Sequence, residues 1–258
     1  MSPHVGVPRP RRQPGDASSF AASYDVGVES RYTLSARATT SILGYISGMV
    51  DTLGFVALFG LFPAHITGNV VLLAASFVDY RSGLLLKLLA IPAFILAAVG
   101  TRLYMIRHER RSRDPSAHIL IAESAILAVF MAVALAATPF EGQDSPATIA
   151  TGLLAATAMA VQNTAARTFL NGLPPTTVMT GNLMQIIVDA LDVLHGHGAV
   201  EVKRARLANL LSLLLAFGAG AITGAIGYLT IGFLALTAPI VAALTLGLFA
   251  RPHPATVV

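Results

Sequence analysis

Eight apolar stretches, separated by short polar stretches, occupy most of this chain. Most of them approach the length of about 20 residues that a helix needs to cross a bilayer. Two of the eight are shorter and more polar than the rest, and each of these begins near a Thr-Gly-Asn tripeptide. The stretches cover residues 38–61, 63–79, 84–105, 118–138, 147–169, 177–194, 207–228 and 229–249. The pattern predicts an all-α polytopic membrane protein.

The Thr-Gly-Asn tripeptide occurs twice, at residues 67–69 and 180–182. Sliding the second half of the chain back by about 112 positions also aligns Asp51 with Asn163, and the tripeptides coincide after one inserted residue. Self-similarity of this kind, with polar groups at equivalent points, is common in small-molecule transporters. The sequence therefore predicts two homologous membrane repeats.

The repeats define the predicted domain organisation. Residues 1–37 are rich in Pro, Arg and Ser and lack an apolar run, which predicts a disordered basic cytoplasmic tail. Repeat 1 covers residues 38–138 and repeat 2 covers residues 147–249. A loop, 139–146, joins them, and a C-terminal tail, 250–258, follows.

Loop charges favour one of two arrangements in the membrane. If all eight stretches crossed, the arginine-rich loop 107–113 would face outside and the acidic loop 141–144 inside, against the positive-inside rule. Both loops obey the rule if stretches 63–79 and 177–194 are re-entrant. We therefore predict six spanning helices plus two re-entrant or broken segments, inverted repeats, and cytoplasmic N- and C-termini. Eight spanning helices with parallel repeats is the alternative.

Composition agrees with a membrane location. The chain is 55% hydrophobic and 12% charged, whereas soluble domains have about 25% charged residues. The net charge of +4 comes largely from arginines that flank apolar stretches, so the predicted partner is the lipid bilayer and not nucleic acid. The absence of cysteine excludes disulfides and thiolate metal sites.

Small residues at four-residue spacing predict close helix contacts. Gly44 and Gly48 form one such pair on the first predicted helix, and Ala216, Gly220 and Gly224 form a row on the seventh.

Asp51 is the main candidate for chemistry, because it lies within an otherwise apolar helix. A carboxylate in the hydrocarbon region costs at least about 2.5–3.5 kcal/mol on insertion scales. It should therefore face a partner, for which His65 and Arg167 are the candidates, or a water-filled cavity, or carry a proton. A proton or cation carrier, a direct substrate ligand and a structural ion pair all remain open.

The two tripeptides are interpreted as helix breaks. Thr serves as an N-cap, Gly tolerates the turn, and Asn bonds freed backbone groups. A half-helix that begins inside the membrane directs its N–H groups and positive dipole end at a cavity, which suits an anionic or polar solute. Thr and Asn that merely satisfy the backbone of a packed helix are the alternative. The predicted substrate- and ion-binding residues are Asp51, His65, Thr67, Gly68, Asn69, Gln162, Asn163, Arg167, Thr180, Gly181, Asn182 and Gln185.

Other polar residues carry weaker predictions. Glu123 lies within an apolar stretch with no obvious partner, and Asp189 and Asp192 are expected to be solvated. His195 and His197 are expected to face solvent and not a metal. No catalytic motif is present, so neither an enzyme nor a cofactor is predicted.

At these residues the chain resembles the YoaK-like family of bacterial inner-membrane proteins. The resemblance covers about residues 38–249 and implies a bacterial plasma-membrane location with about six spanning segments. The family often has a Gly before its Gln-Asn pair, where this chain has Ala160-Val161. The matching residues are Gly48-x-x-Asp51, Ala64-His65-x-Thr67-Gly68-Asn69, Gln162-Asn163 and Thr176-Thr177-x-Met179-Thr180-Gly181-Asn182.

Three functions remain in view. A secondary transporter of a small polar or anionic solute, proton-coupled through Asp51, predicts a central cavity between the repeats. A passive facilitator predicts a continuous polar pore, and a membrane scaffold predicts mutually paired polar residues without a cavity. A homo-oligomer is compatible with each of them.

Overall fold

The computed structural model describes residues 35–76, 83–169, 176 and 178–249, and all regular structure in them is helical. Most of the predicted N-terminal tail and all of the predicted C-terminal tail lie outside the described residues. The helices are α1 (Ala36–Ala57), α2 (Ile66–Ser76), α3 (Leu84–Glu109), α4 (Ser116–Ala137), α5 (Pro146–Phe169), α6 (Met179–Leu194), α7 (Val200–Ile231) and α8 (Thr237–Leu248), with a 3-10 turn at Gly232–Leu236.

Four stretches of the described chain are long and apolar enough to cross a membrane, so the protein is a membrane protein. These stretches are Arg37–Ala57, Leu84–Glu109, Ser116–Ala137 and Val200–Leu248. The last of them contains α7, the 3-10 turn and α8. The predicted boundary at residue 229 therefore differs from the structure, because α7 continues to Ile231 and is followed by its C-cap Gly232, whose φ is +61°.

The two helices that contain Thr-Gly-Asn are short. Helix α2 has 11 residues and α6 has 16 residues, or about 16 Å and 24 Å at 1.5 Å per residue. Both are shorter than the hydrocarbon core of about 30 Å.

Helix α1 lies inside the bundle and packs most extensively on α7. Of its membrane-length window 67% is buried, against 17% for α3. Glycines allow the contact: a methyl group on Gly48 would overlap the Phe217 carbonyl oxygen, and one on Gly220 would overlap the Tyr45 carbonyl oxygen. The predicted close approach of these helices is confirmed.

Helix pairing follows the same pattern in both halves of the chain. The first helix of each half packs on the third helix of the other, giving α1 with α7 and α5 with α3. The first helix of each half also packs on the fourth helix of the other half, giving α1 with α8 and α5 with α4. Each short helix packs on the helix that follows it, giving α2 with α3 and α6 with α7.

The glycine contact predicts a difference between two neighbouring substitutions on α7. Gly220→Ala forces the backbones of α1 and α7 apart and should cost about 1–3 kcal/mol of stability, as overpacking does. Gly218→Ala is the matched control, because its methyl group would meet no atom within 4 Å. Thermal unfolding of the purified variants in detergent measures the difference, and equal melting temperatures would contradict the packing.

Candidate functional site

The connection between α1 and α2 is a helix break held together by side chains. Helix α1 ends at Ala57, and Phe59 and Gly60 turn the chain with positive φ angles of 54° and 83°. Asn69 then closes the loop by bonding both backbone groups of Phe62. The Phe62 N–H donates to Asn69 Oδ1 at 2.8 Å, and Asn69 Nδ2 donates to the Phe62 carbonyl oxygen at 2.8 Å. Asn69 therefore satisfies backbone groups that the break releases, as predicted.

Two polar side chains from different halves of the chain hold Ala64 in this connection. The Ala64 N–H donates to Asp51 Oδ1 at 2.5 Å. Asn163 Nδ2 on α5 donates to the Ala64 carbonyl oxygen at 3.4 Å. The sequence alignment of the halves pairs Asp51 with Asn163, and both bind the same backbone residue.

Asp51 also pairs with His65. Its second carboxyl oxygen contacts His65 Nδ1. The Asp51 residue is 4% exposed, whereas 26% of the His65 side chain is exposed. The Phe217 and His65 rings pack in a T-shaped arrangement, with ring centroids 5.6 Å apart. Of the two predicted partners of Asp51, the structure selects His65.

A cavity of about 490 Å³ lies on one side of the Asp51–His65 pair. Asp51, Thr52, His65 and Thr67 give it a polar wall. The remainder of the wall is Gly68 and four large apolar side chains, which are Phe55, Phe62, Met179 and Phe217.

A second cavity of about 280 Å³ shares His65 and Thr67 with the first. Its other polar residues are Asn163 and Arg167, which is exposed. Ala64, Ile66, Phe94 and Val178 complete the lining. His65 and Thr67 thus line both an acidic, aromatic cavity and a cavity that contains a guanidinium group.

The starts of both short helices reach these cavities. Ile66, the first residue of α2, lines the second cavity, and Met179, the first residue of α6, lines the first. Val178, the residue before α6, lines the second cavity as well. The N-termini of two helices therefore meet one pair of cavities, and helix N-termini present N–H groups and positive dipole ends.

The predicted capping role of the two threonines is wrong. Thr67 and Thr180 each follow the first residue of their helix, and Val178, the N-cap of α6, makes no side-chain cap. Gly68 has a packing reason, because a Cβ there would lie 3.0 Å from the Phe62 ring.

The predicted residues of α6, and Gln162 of α5, do not line either cavity, whereas Asn163 and Arg167 of α5 do. Thr180 and Gly181 are exposed and Asn182 is buried, but none of them lines either cavity. Gln185 donates to Asp189 at 2.9 Å. Gln162 links α5 to α1, since its Nε2 donates to the Leu43 carbonyl oxygen at 2.9 Å and to Ser47 Oγ at 2.7 Å.

Asp189 is buried, so the expectation that it is solvated is wrong. Arg206 binds it with two nitrogens, at 2.6 Å and 2.5 Å, and the Asp189 side chain is 0% exposed. The start of α7 places Arg206 and Lys203 beside α6. Lys203 binds Asp192 at 2.7 Å. His195 and His197 are exposed, as expected.

The sequence did not single out several residues that line the cavities, because they are ordinary apolar residues. Phe217 was detectable only through its position one turn before Gly220, since close packing there fixes where its ring lies.

Lys87, which lines neither cavity, was also not predicted: it is 2% exposed at the start of α3, where the backbone N–H of Leu86 donates to Asp144 at 2.9 Å. A lone lysine in an apolar run was the available signal.

The chain belongs to a family described as "Protein of unknown function (DUF1275)", whose family model matches residues 39–249. The match covers both predicted repeats and every residue of the two cavities. The resemblance to the YoaK-like family is consistent with this membership. Comparisons with curated proteins and with solved structures found no match.

The loop closure by Asn69 predicts a stability effect. Asn69→Ala leaves both backbone groups of Phe62 without these partners, and each buried unsatisfied group costs about 1–3 kcal/mol. Asn209→Ala is the control, because Asn209 accepts one solvent-facing hydrogen bond from Arg37. Thermal unfolding in detergent should show a much larger fall for Asn69→Ala. Equal falls would mean that Asn69 does not hold the break.

Proposed function

We propose that this protein is a secondary transporter of a small polar or anionic solute in the bacterial plasma membrane, coupled to protons through Asp51. The observation that carries the proposal is the buried Asp51–His65 pair at a helix break between two cavities. Ionisable residues inside membrane helices commonly mark proton relays and substrate pathways.

The pair supports coupling because it joins one buried and one accessible titratable group. Asp51 lies on α1, and His65 lies in the connection and in the walls of both cavities. Gain or loss of a proton by the pair changes the net charge in the wall of the first cavity, which both residues line. Protonation of His65 also changes the charge in the wall of the second cavity. In this proposal the pair therefore couples its protonation to the charge that each cavity presents to a solute.

The second cavity supports a polar or anionic solute. Arg167 supplies a guanidinium group, which suits carboxylate and phosphate groups. Asn163 supplies amide donors, and the first turn of α2 supplies a positive dipole end.

The short helices α2 and α6 and the exchanged pairing of the two halves support a duplicated transporter with broken helices. In this proposal α2 and α6 are re-entrant, the chain spans the membrane six times, and the repeats are inverted. The loop between α3 and α4 and both termini then lie in the cytoplasm.

Proton coupling predicts a specific effect of Asp51→Asn. Purified protein is reconstituted into liposomes that contain a pH-sensitive dye, and a panel of small carboxylic acids, inorganic phosphate and amino acids is added outside. The wild-type protein should move protons with one solute class. Asp51→Asn should reduce that proton movement to background, because an amide does not titrate, while the protein still folds.

Asp192→Asn is the matched control, since Asp192 is paired with Lys203 outside both cavities. It should retain solute-driven proton movement. A wild-type protein that moves neither protons nor any solute of the panel would contradict the transporter, and an Asp51→Asn variant that fails to fold would support a structural ion pair instead.

The topology is tested by single cysteines in this cysteine-free chain. Ser112→Cys and Gly142→Cys lie in the loops before α4 and before α5, and His197→Cys precedes α7. With re-entrant α2 and α6, a membrane-impermeant thiol reagent applied to intact cells should label position 142 and should label position 112 only after lysis.

The alternative with eight crossings gives the reverse result at positions 112 and 142. Position 197 is cytoplasmic in both arrangements and reports whether the cells are intact. Labelling of position 112 and protection of position 142 in intact cells would therefore contradict inverted repeats.

A further inference from the structure

Glu123 is a second carboxyl group inside the membrane bundle, and it lies outside the site described above. It is 0% exposed, and neither of its carboxyl oxygens has a hydrogen-bond partner among the described residues. It lies on α4, about 11 Å along the helix axis from Ser116 at 1.5 Å per residue. Burial of an unpaired carboxylate at such a position is strongly unfavourable.

Residues close to Glu123 along α4 pack against α5 and α8. One turn before it, Ile119 packs with Val161 and Ala165 of α5 and with Met105 of α3. On the neighbouring face, Ser124 Oγ donates to the Ile240 carbonyl oxygen of α8 at 3.0 Å. Glu123 is therefore enclosed where α4 meets α5 and α8.

No charged group on these helices compensates Glu123 in the described structure. Helix α8 and the 3-10 turn contain no titratable residue. On α5 the titratable residue is Arg167, which is exposed and lines the second cavity. Near the Met105 end of α3 and on α4, Arg102 pairs with Glu109, Tyr104 packs on His108, and His108 packs on His118. Arg107, in the last turn of α3, is exposed.

We propose that Glu123 is a proton-binding site, which holds a proton in this conformation and exchanges it with water. A proton needs one oxygen atom, whereas metal cations such as Ca²⁺ and Mg²⁺ take about six or more ligands. The described residues contain no group of three or more His, Cys, Asp or Glu that could hold a metal ion. The proposal does not depend on transport through the Asp51 site.

Infrared spectroscopy of the protein in liposomes tests the proposal. At about pH 8 a water-exposed glutamate is ionised, so a protonated carboxylic acid band there reports a buried acid. The band should be present in the wild-type protein, absent in Glu123→Gln, and present in Glu141→Gln, which changes an exposed loop glutamate. It should shift when the buffer is exchanged for D₂O, because the proton is exchangeable.

A Glu123→Gln spectrum that loses a carboxylate band, and not the acid band, would overturn the proposal. An acid band that never shifts in D₂O would also overturn it.

If Glu123→Gln does not fold, dicyclohexylcarbodiimide is applied to the wild-type protein, because this apolar reagent adds to a protonated carboxyl group and forms an N-acylurea without a leaving group. Mass spectrometry should then find the adduct on Glu123, and an unmodified Glu123 would refute the exchange.

Discussion

A broken helix inside a membrane protein must find partners for its backbone within the protein, and this requirement organises the first half of the chain. Water does not supply these hydrogen bonds in the hydrocarbon region. Asp51 and Asn163 hydrogen-bond the N–H and the carbonyl oxygen of Ala64, and Asn69 hydrogen-bonds both backbone groups of Phe62. The same polar atoms that stabilise the break thereby bring His65 against Asp51. One set of contacts therefore both bonds the backbone at the break and forms the Asp51–His65 pair.

The glycine contact between α1 and α7 is the second determinant of the site. Gly48 allows the Phe217 backbone to approach α1, and the Phe217 ring then lies beside His65 in the cavity wall. Without hydrophobic drive between helices in lipid, close packing of this kind holds α1 inside the bundle. The chamber beside Asp51 depends on it, because a bulkier residue at position 48 would displace the helix that supplies Phe217.

The extent to which the site could be predicted differs between its residues. The burial of Asp51 was predictable from one carboxylate in an apolar helix, and the repeat alignment singled out Asn163. The choice of His65 over Arg167 as the partner of Asp51 was not predictable, because both were plausible by sequence position. Asp189 was expected in solvent, yet α7 folds Arg206 onto it. That ion pair depends on how two helices cross, which local sequence does not specify.

By itself the sequence determined the membrane class, the helical fold, the approximate bounds of α1 to α6 and the polar residues that need partners. These properties depend on apolar length and on the cost of burying polar groups, both of which are local quantities. Only the tertiary structure decided that two cavities share His65 and Thr67 at one helix break, that the first residues of α2 and α6 meet them, and that Glu123 is enclosed without a hydrogen-bond donor among the residues that the structure describes. These features arise from contacts between residues that are far apart in the chain, and their geometry is set by helix packing.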